Sequence, residues 1–180
     1  MNRRGISVPV VLLHLIFALS SRPVQADAVE TSGHILQYVV PALALGMTGY
    51  ERDLAGAGQL VTSALVTESL VWTLKLTIDA KRPSGGGRGF PSGHSATAAF
   101  GAAFVHRRYG IVPALPLYAG TAFVAWSRVD AGAHRAIDVI AGVAIGVGMS
   151  MVIAKPFGRD VNVVPMSVND GFGAQLVVIY

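Results

Sequence analysis

Four long apolar segments, residues 35–47, 55–76, 111–126 and 133–153, limit what this chain can fold into. The second and the fourth reach the roughly 20 residues that a helix needs to cross a bilayer. Between them, residues 95–105 are rich in small residues, above all Ala, which let helices pack closely. Pro113 and Pro116 fall near the start of their segment, where a helix tolerates proline best. With 52% hydrophobic and only 13% charged residues, and a mean hydropathy of +0.54, the 180-residue chain has the composition of a membrane protein. The expected fold is an all-α membrane helical bundle of about five or six helices. Glu68 is the acidic residue inside the second segment, and such a carboxyl either serves chemistry or faces other helices in its protonated form. The second reading is the expected one.

The two ends differ from this middle. Met1-Asn2-Arg3-Arg4, an apolar run over residues 6–19 and the short side chains of Val24 and Ala26 have the three-part layout of a secretory signal, cleaved before Asp27. Retained, residues 1–26 would form a short membrane anchor. Residues 27–160 make up the helical domain. In residues 161–180, β-branched residues from Val161 to Val164, a break at Pro165 and a turn-like Ser167-Val168-Asn169-Asp170-Gly171 point to a short C-terminal β-hairpin. The net charge of +4 and pI near 9.8 come from scattered residues rather than a basic run, which argues against nucleic acid as a partner. Without cysteine there is no disulfide, thiolate metal site or cysteine nucleophile.

The polar chemistry sits in three clusters between the apolar segments. In the last one, Ser127-Arg128 is followed by His134, four residues before Asp138 at the expected start of a helix from Ala133. Side chains four apart on a helix are neighbours. A carboxylate there can hold one imidazole nitrogen and leave the other nucleophilic, with Arg128 supplying charge for an anion. Alone, the pair is equally well a packed histidine beside a helix-start aspartate. The first cluster is Lys75, then Arg82-Pro83 after six residues, with Pro83 stopping the helix. Alone, these cations read as interfacial anchors. The middle cluster, Pro91-Ser92-Gly93-His94, stands at a helix entry, where unpaired N–H groups and the positive dipole end cradle anions. Alone, it reads as a Ser92 N-cap beside a surface histidine.

Threading gives an independent criterion. With Arg3 and Arg4 inside, Arg52, Arg107, Arg108, Lys155 and Arg159 fall on the cytoplasmic side, and residues 75–94 and 127–134 fall together on the outer side. All three clusters therefore share one membrane face. Together, Lys75-x6-Arg82-Pro83, Pro91-Ser92-Gly93-His94 and Ser127-Arg128-x5-His134-x3-Asp138 resemble the three signature motifs of the type 2 phosphatidic acid phosphatase superfamily. About eleven specified positions match in order, over roughly residues 74–153.

The resemblance implies a phosphohydrolase that uses neither a metal nor another cofactor. It makes His134 the nucleophile that forms a phosphohistidine, Asp138 its orienting carboxylate and His94 the acid for the leaving oxygen. Lys75, Arg82, Ser92, Gly93 and Arg128 become the phosphate-binding residues. Sited at the outer end of membrane helices, such an enzyme would take phospholipid or isoprenoid lipid phosphates: undecaprenyl diphosphate, phosphatidylglycerophosphate, phosphatidic acid or a lipid A phosphate. The expected location is the bacterial inner membrane, with the site facing the periplasm. The same motifs also fit a soluble periplasmic acid phosphatase, a vanadate-dependent haloperoxidase or a non-enzymatic envelope protein. Outside the motifs, His34 and His106 read as incidental, Asp79 as a partner for Lys75, and residues 85–89 as a mobile connector.

Overall fold

The computed structural model describes the backbone of residues 8–158, 160–168 and 171–179, and the side chains of residues 28–158. Five helices, α1 (Val8–Tyr50), α2 (Leu54–Thr77), α3 (Gly93–Tyr109), α4 (Ile111–Asp130) and α5 (Ala136–Ile153), precede two strands, β1 (Asp160–Val168) and β2 (Gly171–Ile179). The bundle is all-α, as the apolar periodicity implies. The apolar runs at 6–19 and 35–47, read from sequence as separate segments, belong to one helix of 43 residues. The stretch between them carries a single proline, Pro23, which does not end the helix. Residues 1–7 and Arg159 lie outside the described residues, as do the signal layout's basic start and one of the expected inside charges.

The helices turn small and polar residues inward. On α1 the buried stripe is Gly33, Gln37, Val40, Ala44 and Thr48; on α2 it is Gly56, Leu60, Ser63, Thr67 and Val71. Both follow the helical period. Outward point Tyr38, Leu43, Val61, Leu65, Trp72, Leu76, Ile140 and Val152, all exposed. A water-soluble bundle has the reverse arrangement. α2 and α5 are long and apolar enough to cross a membrane.

α3 is the axis of the bundle and packs against each of the other four helices. Its length of 17 residues corresponds to about 26 Å of rise. Surrounded by protein, it needs no long lipophilic side chains, so Ala96, Ala98, Ala99, Ala102 and Ala103 are buried along it. In lipid, helix association depends on close packing rather than on escape from water. α5 meets this demand with Gly142 and Gly146, where a Cβ would land on the Ser92 and Ala96 carbonyl oxygens. Ser150 Oγ completes the seam by donating to the Phe100 carbonyl at 2.8 Å.

The end of the bundle away from the motifs is closed by a buried ion pair. Asp53 caps α2 by accepting from the Gly56 N–H at 2.8 Å, and it also receives the Arg108 guanidinium and, at 2.7 Å, the Tyr109 hydroxyl. The same guanidinium donates to the Lys155 carbonyl at 2.8 Å. The α1–α2 corner, the end of α3 and the end of α5 are thereby tied together.

The C-terminal hairpin pairs β1 with β2 antiparallel, Asp160 opposite Ile179 and Val168 opposite Gly171. Pro165, expected to break the strand, lies within it opposite Ala174. In a two-stranded sheet each strand has an unpaired edge, and a proline there forfeits no ladder bond.

Candidate active site

The residues of the three motifs gather at one end of α2, α3, α4 and α5. Lys75, in the last turn of α2, donates from Nζ to the Pro91 carbonyl at 2.6 Å and the Arg88 carbonyl at 3.4 Å. Asp79 is not among its partners. The α2–α3 connector is a folded turn rather than a slack link, with Lys81 bridged to Arg88 and the Gly89 N–H donating to the Ala80 carbonyl at 2.6 Å. Gly85 and Gly87, at φ of 84° and 57°, make that reversal in a region other residues avoid. The turn is held over the site by Ser84 N–H to the Gly132 carbonyl at 3.2 Å and by Arg135 to the Lys81 carbonyl at 3.3 Å.

His134 is not on a helix. α5 begins at Ala136 with Arg135 as its extended N-cap, two residues past His134. Asp138, in the first turn, accepts from the Arg135 N–H at 2.9 Å, a bond that fixes the helix start after the histidine. The preceding turn passes through Gly132 at φ 63° and folds back so that the Ala133 and His134 N–H groups both donate to the Arg128 carbonyl at 3.1 Å. The expected neighbourhood of His134 and Asp138 survives by this different route, with Nδ1 3.9 Å from the carboxylate, in ion-pair range and beyond a hydrogen bond.

Asp138 also joins two motifs through its backbone, since the Ser92 N–H donates to its carbonyl at 2.8 Å. Ser92 is the N-cap of α3, its hydroxyl shared with Ser95 Oγ at 3.0 Å. Gly93 and His94 open that helix and, with Lys75, Arg82 and His134, line a cavity of about 760 Å³. The cavity continues between α1 and α2 along Tyr38, Val71 and Trp72, so a charged mouth leads into an apolar groove. Glu68 lines the groove and accepts from Thr97 Oγ1 at 2.6 Å; it faces another helix, as expected.

Buried inside this mouth, Arg82 Nε and His134 Nδ1 have no hydrogen-bond partner among the described residues. A buried guanidinium N–H without an acceptor suits an anion. Burial, then the charges of Arg82 and Lys75, push the His134 imidazole down to about 4, with the Gly89 backbone and Asp138 pulling the other way. The ring is therefore neutral at ordinary pH and keeps a lone pair.

Arg128 and His34 depart from the sequence reading. The Arg128 guanidinium, 1% exposed, faces α1, donating to the Glu30 carbonyl at 2.7 Å and reaching His34 Nε2 at 3.2 Å. His34, read as incidental, has its Nδ1 2.7 Å from His94 Nε2. Neither Glu30 nor His34 belongs to a motif. The available signal was their i, i+4 spacing at the outer end of an apolar helix. His106 bonds the Tyr118 hydroxyl at 3.1 Å, away from the site.

Residues 31–160, which include all three clusters, match the PAP2 superfamily. The chain belongs to the PAP2 superfamily. It is 33% identical to lipid A 4′-phosphatase of Helicobacter pylori over 163 residues, 81% of this chain and 80% of that one. It is 25% identical to lipid A 1-phosphatase of the same species over 166 residues, 82% and 83% of the two chains. The crystal structure of Aquifex aeolicus LpxE superposes at a TM-score of 0.62 and 20% identity, over 84% of this chain and 98% of that one. That of the first transmembrane PAP2 type phosphatidylglycerolphosphate phosphatase from Bacillus subtilis gives 0.51 and 23%, over 81% and 92%. The PAP2 fold, a phosphatase activity and a membrane setting follow for this chain. The apolar exterior agrees with that setting rather than with a soluble periplasmic enzyme.

Proposed function

We propose that this PAP2 phosphatase removes a phosphate from lipid A, the 4′-phosphate first, at the periplasmic face of the inner membrane. The observation that carries the reading is the cavity in which Lys75, Arg82, His94 and His134 meet at the mouth of an apolar groove. A phosphorylated lipid entering sideways leaves its chains in the groove and brings its phosphate to the cations. The greater identity to the 4′-phosphatase favours that position. The facing is supported by Arg52, Arg107 and Lys155, which belong to loops and helix ends remote from the site.

In the proposed reaction, the His134 ring nitrogen turned away from Asp138 attacks phosphorus. The Asp138 carboxylate beside Nδ1 orients the ring and balances the positive charge of the phosphohistidine. Lys75, which has a donor to spare beyond its two carbonyl partners, and Arg82 hold the non-bridging oxygens with the Gly93 N–H. Ser92 acts by capping the helix that aims this N–H, and Arg128 turns from α1 to a third oxygen. His94 protonates the leaving oxygen and then takes a proton from the water that splits the phosphohistidine.

The test is phosphate release by the purified protein in detergent from lipid A, undecaprenyl diphosphate, phosphatidylglycerophosphate and phosphatidic acid. Lipid A is expected to give the highest kcat/KM, and His134→Ala to lose at least about a thousandfold. Substantial turnover by His134→Ala would overturn the mechanism, and a clear preference for another lipid would overturn the substrate.

A further inference from the structure

The contacts around His34 fix where protons lie. A guanidinium only donates, so His34 Nε2, 3.2 Å from Arg128 Nη1, is an acceptor. The His34 proton is then on Nδ1, and that N–H donates to His94 Nε2 at 2.7 Å. A neutral His94, with its Nε2 accepting from His34, in turn carries its own proton on Nδ1. This resting tautomer cannot serve the chemistry: a neutral imidazole is too weak an acid for a leaving oxygen, and its lone pair at Nε2 is occupied by His34.

A second arrangement is built in beside the first. Glu30 Oε1 lies 3.5 Å from the same His34 Nε2 and 3.7 Å from Arg128 Nη1, so one carboxylate faces both. The side chains of His34 and Glu30 are 50% and 42% exposed, whereas those of Arg128 and His134 are 1% and 2% exposed. His34 is thus the point at which this buried chain meets solvent.

The geometry points to Glu30 and His34 as a proton relay that charges His94 when phosphate draws Arg128 away. The relay rests on the reading of His94 as the leaving-group acid. Once Arg128 turns to a phosphate oxygen, His34 Nε2 loses its donor and takes a proton from solvent, held by Glu30. The Nδ1 proton of His34 passes to His94 Nε2, leaving His34 neutral and His94 an imidazolium. His94 then gives its Nδ1 proton to the leaving oxygen. It is left neutral, with Nε2–H donating to His34 and the Nδ1 lone pair free to take the proton of the attacking water. Each turnover balances: the leaving oxygen takes one proton and the attacking water returns one to His94 Nδ1, and as product leaves and Arg128 swings back, the His94 Nε2 proton returns to His34 Nδ1 and the His34 Nε2 proton goes back to solvent. His34 is a positioning residue, since it touches His94 and not the substrate. The charged groups acting on the pair are Glu30 on α1, Arg128 on α4, and Arg82 and His134 across the cavity.

Two measurements on the full chain in detergent test the relay. The first is the 15N resonance of the His94 ring, with inorganic phosphate as probe. Wild type is expected to have Nε2 unprotonated without phosphate and protonated with it, a change that His34→Ala abolishes. The second is kinetics on a lipid phosphate. His34→Ala should lower kcat at least about tenfold with KM within about twofold. Added imidazole should restore part of the rate, and Glu30→Gln, which keeps both rings, should lower kcat by a smaller factor and shift its pH profile. A wild-type His94 whose tautomer ignores phosphate would overturn the relay. So would a His34→Ala rate close to wild type, or a loss that imidazole leaves untouched. If wild type releases phosphate from no lipid, the proposed function fails, while the 15N measurement still decides the relay.

Discussion

His134 illustrates how much a residue's chemistry depends on what surrounds it. Burial beside Lys75 and Arg82 holds its imidazole down at about 4, so the nucleophile stays uncharged until the medium is strongly acidic. The sign follows from the base: above that value the lone pair is present, and as pH falls through it the ring protonates and cannot attack. The acid limb of kcat/KM should therefore lie near pH 4. Arg82→Gln removes a cation that depresses the ring, and should move that limb to higher pH while raising KM. A pH–rate series on both proteins measures the shift. At this scale the motif residues were legible because each stands at a set spacing from another polar residue. Glu30 and His34 were not, because their partners His94 and Arg128 are 60 and 94 residues from His34.

Among the elements, the seam between α3 and α5 carries the most consequence for function. Gly142 lies against the Ser92 carbonyl, at the N-cap of the helix that aims Gly93 and His94. Gly142→Ala places a methyl group where that carbonyl stands, and should cost about 1–3 kcal/mol of stability and lower kcat by displacing the α3 entry. Gly148→Ala has open space around its Cβ and serves as the control, with stability and rate near wild type. Thermal unfolding in detergent and steady-state kinetics on the pair separate the two effects. The helices themselves were readable from their apolar runs, but the start of α5 was not. Apolar periodicity cannot distinguish Ala133 from Ala136, and the boundary is set by the Asp138 carboxylate accepting from Arg135.

For the molecule as a whole, the Asp53–Arg108 pair closes the end opposite the site. The Arg108 hydrogen bond, against the penalty of burial, brings the Asp53 carboxyl down from 3.8 to about 2. Its contribution is present in full above the unfolded value and lost as pH falls through the folded one. Asp53→Ala leaves a buried guanidinium uncompensated, and should destabilise the protein by about 3–5 kcal/mol. Unfolding midpoints of wild type and variant should converge as pH is lowered toward about 2. Arg52, Arg107, Arg108 and Lys155 were read as one group of inside charges. Arg108 is instead an internal fastener, 8% exposed, a role that hydropathy and charge counting do not reveal.

The sequence by itself determined the helical membrane class, the superfamily and the five motif residues that line the cavity, Lys75, Arg82, Gly93, His94 and His134, because helix period, bilayer length and motif spacing are local along the chain. Only the tertiary structure decided that His134 precedes its helix, that Arg128 rests against α1 and that His34 touches His94. Those outcomes depend on which side chains long-range packing brings within hydrogen-bond distance, and no spacing along the chain encodes that.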